Sequence, residues 1–82
     1  MAKVPRPRPK RLPEKLKAIR VSLNFSQNEL LKALGLSETH DRSVISGYEL
    51  GDKEPPLPIL LKYARLVRIS TDVLIDDELD LP

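Results

Sequence analysis

The chain has 82 residues, 40% apolar and 32% charged, with a net charge of +2 and no cysteine. That length makes one small domain with a modest core, and the missing cysteine excludes disulfides, thiolate metal sites and thiol catalysis. Apolar residues fall in short clusters far from the roughly 20 in a row that a membrane span needs. No apolar stretch follows the basic N-terminus to make a secretory signal, so a cytoplasmic protein with no membrane partner is expected.

Charge is unevenly placed. Lys3, Arg6, Arg8, Lys10, Arg11, Lys15, Lys17 and Arg20 face a single Glu14 in the first twenty residues, whereas Asp72, Asp76, Asp77, Glu78 and Asp80 meet no base after Ser70. Such an asymmetry either orients the domain on a polyanion or marks two solvated tails.

Residues 1–12 alternate Pro5, Pro7 and Pro9 with Arg6 and Arg8. Proline removes backbone donors and disfavours helix in the residue before it, so this stretch reads as an extended basic arm outside the core. Pro13 suits a first helical turn, and Leu16, Ile19 and Leu23 follow at helical spacing, giving helix one from Pro13 to Leu23. Helix two runs from Gln27 to Leu34: Ser26 and Glu29 form a capping box at its start, and Gly35 can take the left-handed conformation at its end. The stretch from Leu36 to Asp41 has no apolar repeat and reads as loop.

Asp41 caps helix three, Arg42 to Leu50, which Gly51 closes. After the rigid Glu54-Pro55-Pro56 connector, Pro58 opens helix four, with Ile59, Leu60, Tyr63, Ala64 and Val67 turned inward. Ser70 caps a short fifth helix containing Val73, Leu74 and Ile75, and residues 76–82 read as an acidic tail. No window alternates as a half-buried strand does, so the fold class is all-α with five helices in a domain spanning 13–75.

Helix three has the chemistry of a DNA reader. Val44, Ile45 and Tyr48 can pack it down, leaving Arg42, Ser43, Ser46 and Gly47 on the outer face. Arginine can donate twice to guanine, the serine hydroxyls discriminate weakly, and a helix-weakening glycine marks either a close approach of DNA or tight packing. Gln27, with Asn28 beside it, can hold a phosphate at the start of helix two, and Lys53 can add another just past helix three. On the arm, Arg6, Arg8, Lys10 and Arg11 can lie along phosphates or enter a minor groove. His40 is the only histidine and has no second metal-binding partner, so neither a metal nor a cofactor is expected. No arrangement of Ser, Asp and His suggests a catalytic triad, and an enzyme is not expected.

From Leu16 to Ile75 the sequence resembles the lambda-repressor-like, Cro/C1 (XRE-type) helix-turn-helix family. The resemblance is carried by Ile19-Arg20, Phe25-Ser26-Gln27, Leu30, Leu34-Gly35-Leu36-Ser37, Ile45-Ser46, Tyr48-Glu49, Gly51, Pro55, Leu60 to Ala64 and Ile69 to Leu74. It implies a five-helix fold with helix three in the major groove of double-stranded DNA. It also implies a phosphate contact from Gln27, reading positions at Arg42, Ser43, Ser46 and Gly47, and an ion pair between Arg20 and Glu49. Two departures stand out: Leu31 replaces a small residue, and the stretch from Gly35 to Glu49 is several residues longer than the family pattern. A longer turn would let helix three shift to accommodate the bulkier side chain.

The function this resemblance implies is a sequence-specific, repressor-like transcriptional regulator associated with the nucleoid. Homodimerisation would use the helix four and five region, where Leu74, Ile75, Leu79 and Leu81 are candidates to lie outside the core. The alternative is an antitoxin-type protein-interaction module of the same fold, with the acidic tail binding a basic toxin.

Overall fold

The computed structural model describes residues 8–82, so Arg6 lies outside the described residues. Its elements are α1 (Leu12–Ser22), α2 (Gln27–Ala33), α3 (Arg42–Leu50), α4 (Leu57–Leu66) and α5 (Thr71–Ile75). Among the described residues the fold is all-α, with five helices and no strand. α1 packs on α3 and α5, α2 on α3, and α4 on α5. Leu16, Leu30, Ile45, Tyr63 and Leu74, one from each helix, are completely enclosed at the centre. Burial pushes the Tyr63 phenol far above its usual range, so it is neutral at any physiological pH.

The helix starts follow local chemistry. Ser26 Oγ accepts the N–H of Glu29 at 3.1 Å while the Glu29 carboxylate accepts the N–H of Ser26 at 2.8 Å, completing the capping box. Asp41 accepts the N–H of Ser43 at 2.8 Å at the start of α3, and Ser70 accepts that of Asp72 at 3.2 Å at the start of α5. These bonds satisfy N–H groups that have no partner inside the helix.

Three helix ends share one closure. After α1, Phe25 N–H reaches Arg20 O and Asn24 N–H reaches Val21 O; after α2, Leu36 N–H reaches Leu31 O and Gly35 N–H reaches Lys32 O; after α4, Ile69 N–H reaches Ala64 O and Arg68 N–H reaches Arg65 O. Each is the paired bond pattern of a Schellman turn, with the residue after the cap in the left-handed region. That residue is Asn24 at φ 58°, Gly35 at 73° and Arg68 at 58°. Glycine and asparagine adopt this conformation readily, whereas at Arg68 it costs about 1 kcal/mol.

Two segments differ from the sequence reading. Leu36, assigned to a loop, is 6% exposed and belongs to the core together with Leu31, so the long α2–α3 connection is packed down at its first residue. Its carbonyl then accepts the N–H groups of Thr39 and His40, which folds the rest into a compact turn. The second difference lies at the two ends of the chain. α1 begins at Leu12, which is buried, and the carboxylate of Asp77 accepts the N–H groups of Lys10 at 2.9 Å and Arg11 at 3.0 Å. Lys15, 2% exposed, donates its Nζ to Val73 O at 2.8 Å and Asp76 O at 2.9 Å, neutralising the C-terminal end of α5. Leu74 is fully buried and Leu81 packs against the core, so of the four apolar residues expected to remain outside it only Ile75 and Leu79 are exposed, at 43% and 40%.

Leu36→Ala removes a buried side chain that anchors the connection and is expected to cost about 2–3 kcal/mol, against less than about 0.5 kcal/mol for Ser37→Ala on the exposed side; chemical denaturation of both variants checks this. The N–H groups of Arg11 and then Lys10 hold the Asp77 carboxyl below its ordinary value of 3.8. A carboxyl depressed in the fold contributes stability above the unfolded value and loses it as pH falls through the folded one. Amide exchange at Lys10 and Arg11, corrected for intrinsic rate, should therefore lose protection below about pH 4 while α4, whose start has no side-chain cap, keeps its own. Asp77→Asn should weaken the same protection at neutral pH.

Candidate nucleic-acid interface

α3 is amphipathic by position. Ile45 and Tyr48 are buried and Val44 is half-buried, which fixes the inward side of the helix. On the opposite side Ser43 and Leu50 are exposed and Ser46 is partly exposed, with the exposed Arg42 at the edge of the stripe. Leu50 is 71% exposed, and sequence reasoning did not include it in the site. Its spacing of seven from Ser43 is the signal that could have placed it there. An apolar side chain in this position can meet the methyl group of thymine.

A guanidinium fork sets the angle of α3. Arg20 on α1 donates from Nε to Glu49 Oε2 at 2.7 Å and from Nη2 to Glu49 Oε1 at 3.0 Å, and its Nη1 donates to Phe25 O at 2.9 Å. The Arg20 and Glu49 side chains are 17% and 5% exposed. One planar group thus joins α1, the corner leading into α2 and the last turn of α3. The two parallel bonds specify direction as well as distance.

At the other end of α3 the Ser43 hydroxyl donates to the Asp41 carboxylate, which also accepts the Ser43 N–H. These two bonds, hydroxyl first, hold the Asp41 carboxyl below its usual range, with smaller contributions from the charges of Lys53 and Arg42. The Ser43 proton is therefore used inside the protein, and its oxygen is left to accept. Asp41, at the start of α3, is held by its own cap and faced by the charges of Lys53 and Arg42.

Gly47, expected among the reading positions, stands one turn from Ser43 and one from Leu50. It is buried, and a Cβ built there would lie 3.2 Å from Lys53 Cδ and 3.4 Å from Lys53 Cγ. The space beside this glycine holds the stem of a lysine, whose own N–H donates to Gly47 O at 3.2 Å. Lys53 itself is exposed. Arg8 lines the same shallow depression as Lys53, beside Tyr48 and Gly51, which brings the root of the arm alongside the end of α3.

Arg11 also departs from its expected role on the arm. Its Nη1 donates to Asp77 O at 2.8 Å, its Nη2 to Asp80 Oδ1 at 2.6 Å and its Nε to Glu14 Oε1 at 3.1 Å, so the guanidinium is committed to the C-terminal segment. The Lys10 backbone is held there too, although its side chain is exposed. Gln27, partly exposed, and Asn28, exposed, occupy the first turn of α2. His40 stays on the connection with its Nδ1 2.7 Å from Thr39 Oγ1, and no group of metal-binding side chains occurs among the described residues.

Removing Glu49 would leave the Arg20 fork partly buried without its acceptor. Glu49→Ala is expected to lower stability by about 3 kcal/mol, a fall in Tm of more than about 10 °C for a domain of this size, measured by thermal unfolding.

This arrangement has counterparts among known proteins. The SPbeta prophage-derived HTH-type transcriptional regulator YonR of Bacillus subtilis (strain 168) is 36% identical over 62 residues, covering 76% of this chain and 54% of that protein. The chain thus spans about half the length of this curated relative. Among solved structures, the P22 c2 repressor in complex with a synthetic operator superimposes with a TM-score of 0.69 at 27% identity, covering 80% of this chain and 94% of that one. A helix-turn-helix family model matches residues 16–74. With that match spanning most of the described fold, the chain belongs to the helix-turn-helix family, in its lambda-repressor-like, Cro/C1 branch.

Proposed function

We propose that this chain binds double-stranded DNA in a sequence-specific way and acts as a repressor-like transcriptional regulator, with α3 in the major groove. The observation that carries the reading is the outer stripe of α3. Arg42, Ser43 and Ser46 stand there on a helix whose last turn is clamped to α1 by the Arg20 fork. The likeness to a repressor solved on its operator supports the same placement. Arg42 is the principal base reader, because its guanidinium can donate twice to guanine O6 and N7. Ser46 contributes either donor or acceptor, and Ser43 an acceptor. Gln27, Asn28 and Lys53 contact phosphates on either side of the groove, while Arg6, Arg8 and Lys10 extend the contact along the backbone.

Homodimerisation on a two-fold operator would use Leu57 of α4 and Ile75 of α5, which are 69% and 43% exposed and line one apolar groove. The protein-interaction alternative relied on a free acidic tail. Asp77 and Asp80 are engaged by Arg11, while Asp76 and Glu78 stay exposed.

A selection of bound sites from random duplex DNA, read for palindromy and half-site spacing, tests the reading; no enrichment over random sequence would refute it. On the selected duplex, Arg42→Ala is expected to cost about 1–3 kcal/mol and to relax preference at one base pair. A loss of the same size on every duplex would instead place Arg42 on phosphate.

A further inference from the structure

We propose that Gly47 is a positioning residue for Lys53: the missing side chain leaves a slot on α3 that carries the lysine stem across the helix and delivers its ammonium to a DNA phosphate beside the reading stripe. This inference rests on the DNA-binding reading and gives that site a part it did not have.

Three observations converge on the slot. Gly47 stands one turn from Ser43 and one from Leu50, between exposed neighbours on the outer stripe, and yet it is buried. What lies against it is Lys53: outside the helix's own backbone, the three heavy atoms nearest a Cβ built at Gly47 all belong to that side chain, with Cδ at 3.2 Å, Cγ at 3.4 Å and Cβ at 3.7 Å. The start of the stem is also fixed, because Lys53 N–H donates to Gly47 O at 3.2 Å. The lysine therefore runs along the helix surface instead of leaving from the turn into solvent. The field of Lys53 on Asp41, at the opposite end of α3, agrees with this course.

The consequence for binding is entropic and geometric. A free surface lysine loses rotamer freedom when it engages a phosphate, whereas a stem already laid in a groove has less to lose. Glycine weakens a helix by about 1 kcal/mol relative to alanine, so a glycine in the middle of a nine-residue helix calls for a compensating use. An alanine there would bring a methyl group closer to Lys53 than ordinary van der Waals contact allows. The stem has to lift, and because Nζ lies two bonds beyond Cδ, a shift of a few tenths of an ångström at the contact swings the ammonium further.

The test is a double-mutant cycle with Gly47→Ala and Lys53→Met on the full chain, bound to the duplex that the wild-type protein selects. Methionine keeps an unbranched stem over the glycine and removes the charge. Lys53→Met is expected to weaken binding and to lower the log–log salt slope by about 0.9, the share of one phosphate. Gly47→Ala should lower affinity by a factor of about two to ten and reduce the slope in the same direction while leaving Tm unchanged or raised. In the Lys53→Met background, Gly47→Ala should then have no further effect. Equal losses in both backgrounds, or an unchanged affinity and slope in Gly47→Ala, would overturn the proposal.

In the free protein, nuclear Overhauser contacts between the Lys53 methylenes and the Gly47 α-protons should be present in the wild type and weaken in Gly47→Ala; their absence from the wild type would remove the slot. Failure of the wild type to select any duplex would remove the DNA-binding reading and the phosphate role with it, while those contacts report on the slot separately.

Discussion

The fork between Arg20 and Glu49 is the constraint on which the candidate interface depends. Most contacts in this small core are apolar and non-directional, so they hold the helices together without fixing how α3 is rotated or tilted. A guanidinium whose five donors lie in one plane does fix this. By reaching Glu49 on α3 and the Phe25 carbonyl at the entry to α2, it ties both helices of the motif to α1. The apolar side of α3 supplies the binding energy to the core, and the fork selects one orientation from those that the apolar contacts would tolerate. The outward stripe of Arg42, Ser43 and Ser46 is the geometric complement of that choice.

The connections between helices are rigid for a related reason. α1, α2 and α4 all end in the same paired hydrogen bonds, which satisfy terminal carbonyls and reverse the chain within two residues. The long α2–α3 connection continues from one of these turns into Leu36, which sinks into the core beside Leu31. The extra residues therefore do not hang from the motif as a free loop. Leu31 and Leu36 fill space between α2 and the start of the connection, and the exposed residues beyond them, Ser37 to His40, are folded back by bonds to the Leu36 carbonyl.

Formal charge in this chain is a poor guide to the charge available to a ligand. The basic N-terminal and acidic C-terminal regions, which in sequence suggest a polarised molecule, are in part each other's partners. Arg11 binds the segment of Asp77 and Asp80, and Lys15 is buried against the end of α5. What remains outward near α3 is a smaller set: Arg42 on the outer stripe, with Arg8 and Lys53 beside the end of the helix. Asp41, at the start of α3, is held by its capping bonds and faced by two of these cations.

The sequence by itself determined what depends on neighbours along the chain: five helices, the capping box at Ser26 and Glu29, the caps at Asp41 and Ser70, the turn at Gly35 and the family these features spell out. Such signals act over at most five residues, and residue type alone encodes them. Other features were beyond it. That Asn24 and Arg68 take the conformation of Gly35 follows from the direction in which the next helix must leave, since neither residue type demands it. That Leu36 is core, that Gly47 is roofed by Lys53, and that Arg11 spends its donors on a carboxylate and carbonyl 66 and more residues away was decided only when the helices packed. Burial and long-range pairing are properties of the assembled surface, where a side chain's partners are set by which elements meet and not by what stands beside it in the chain.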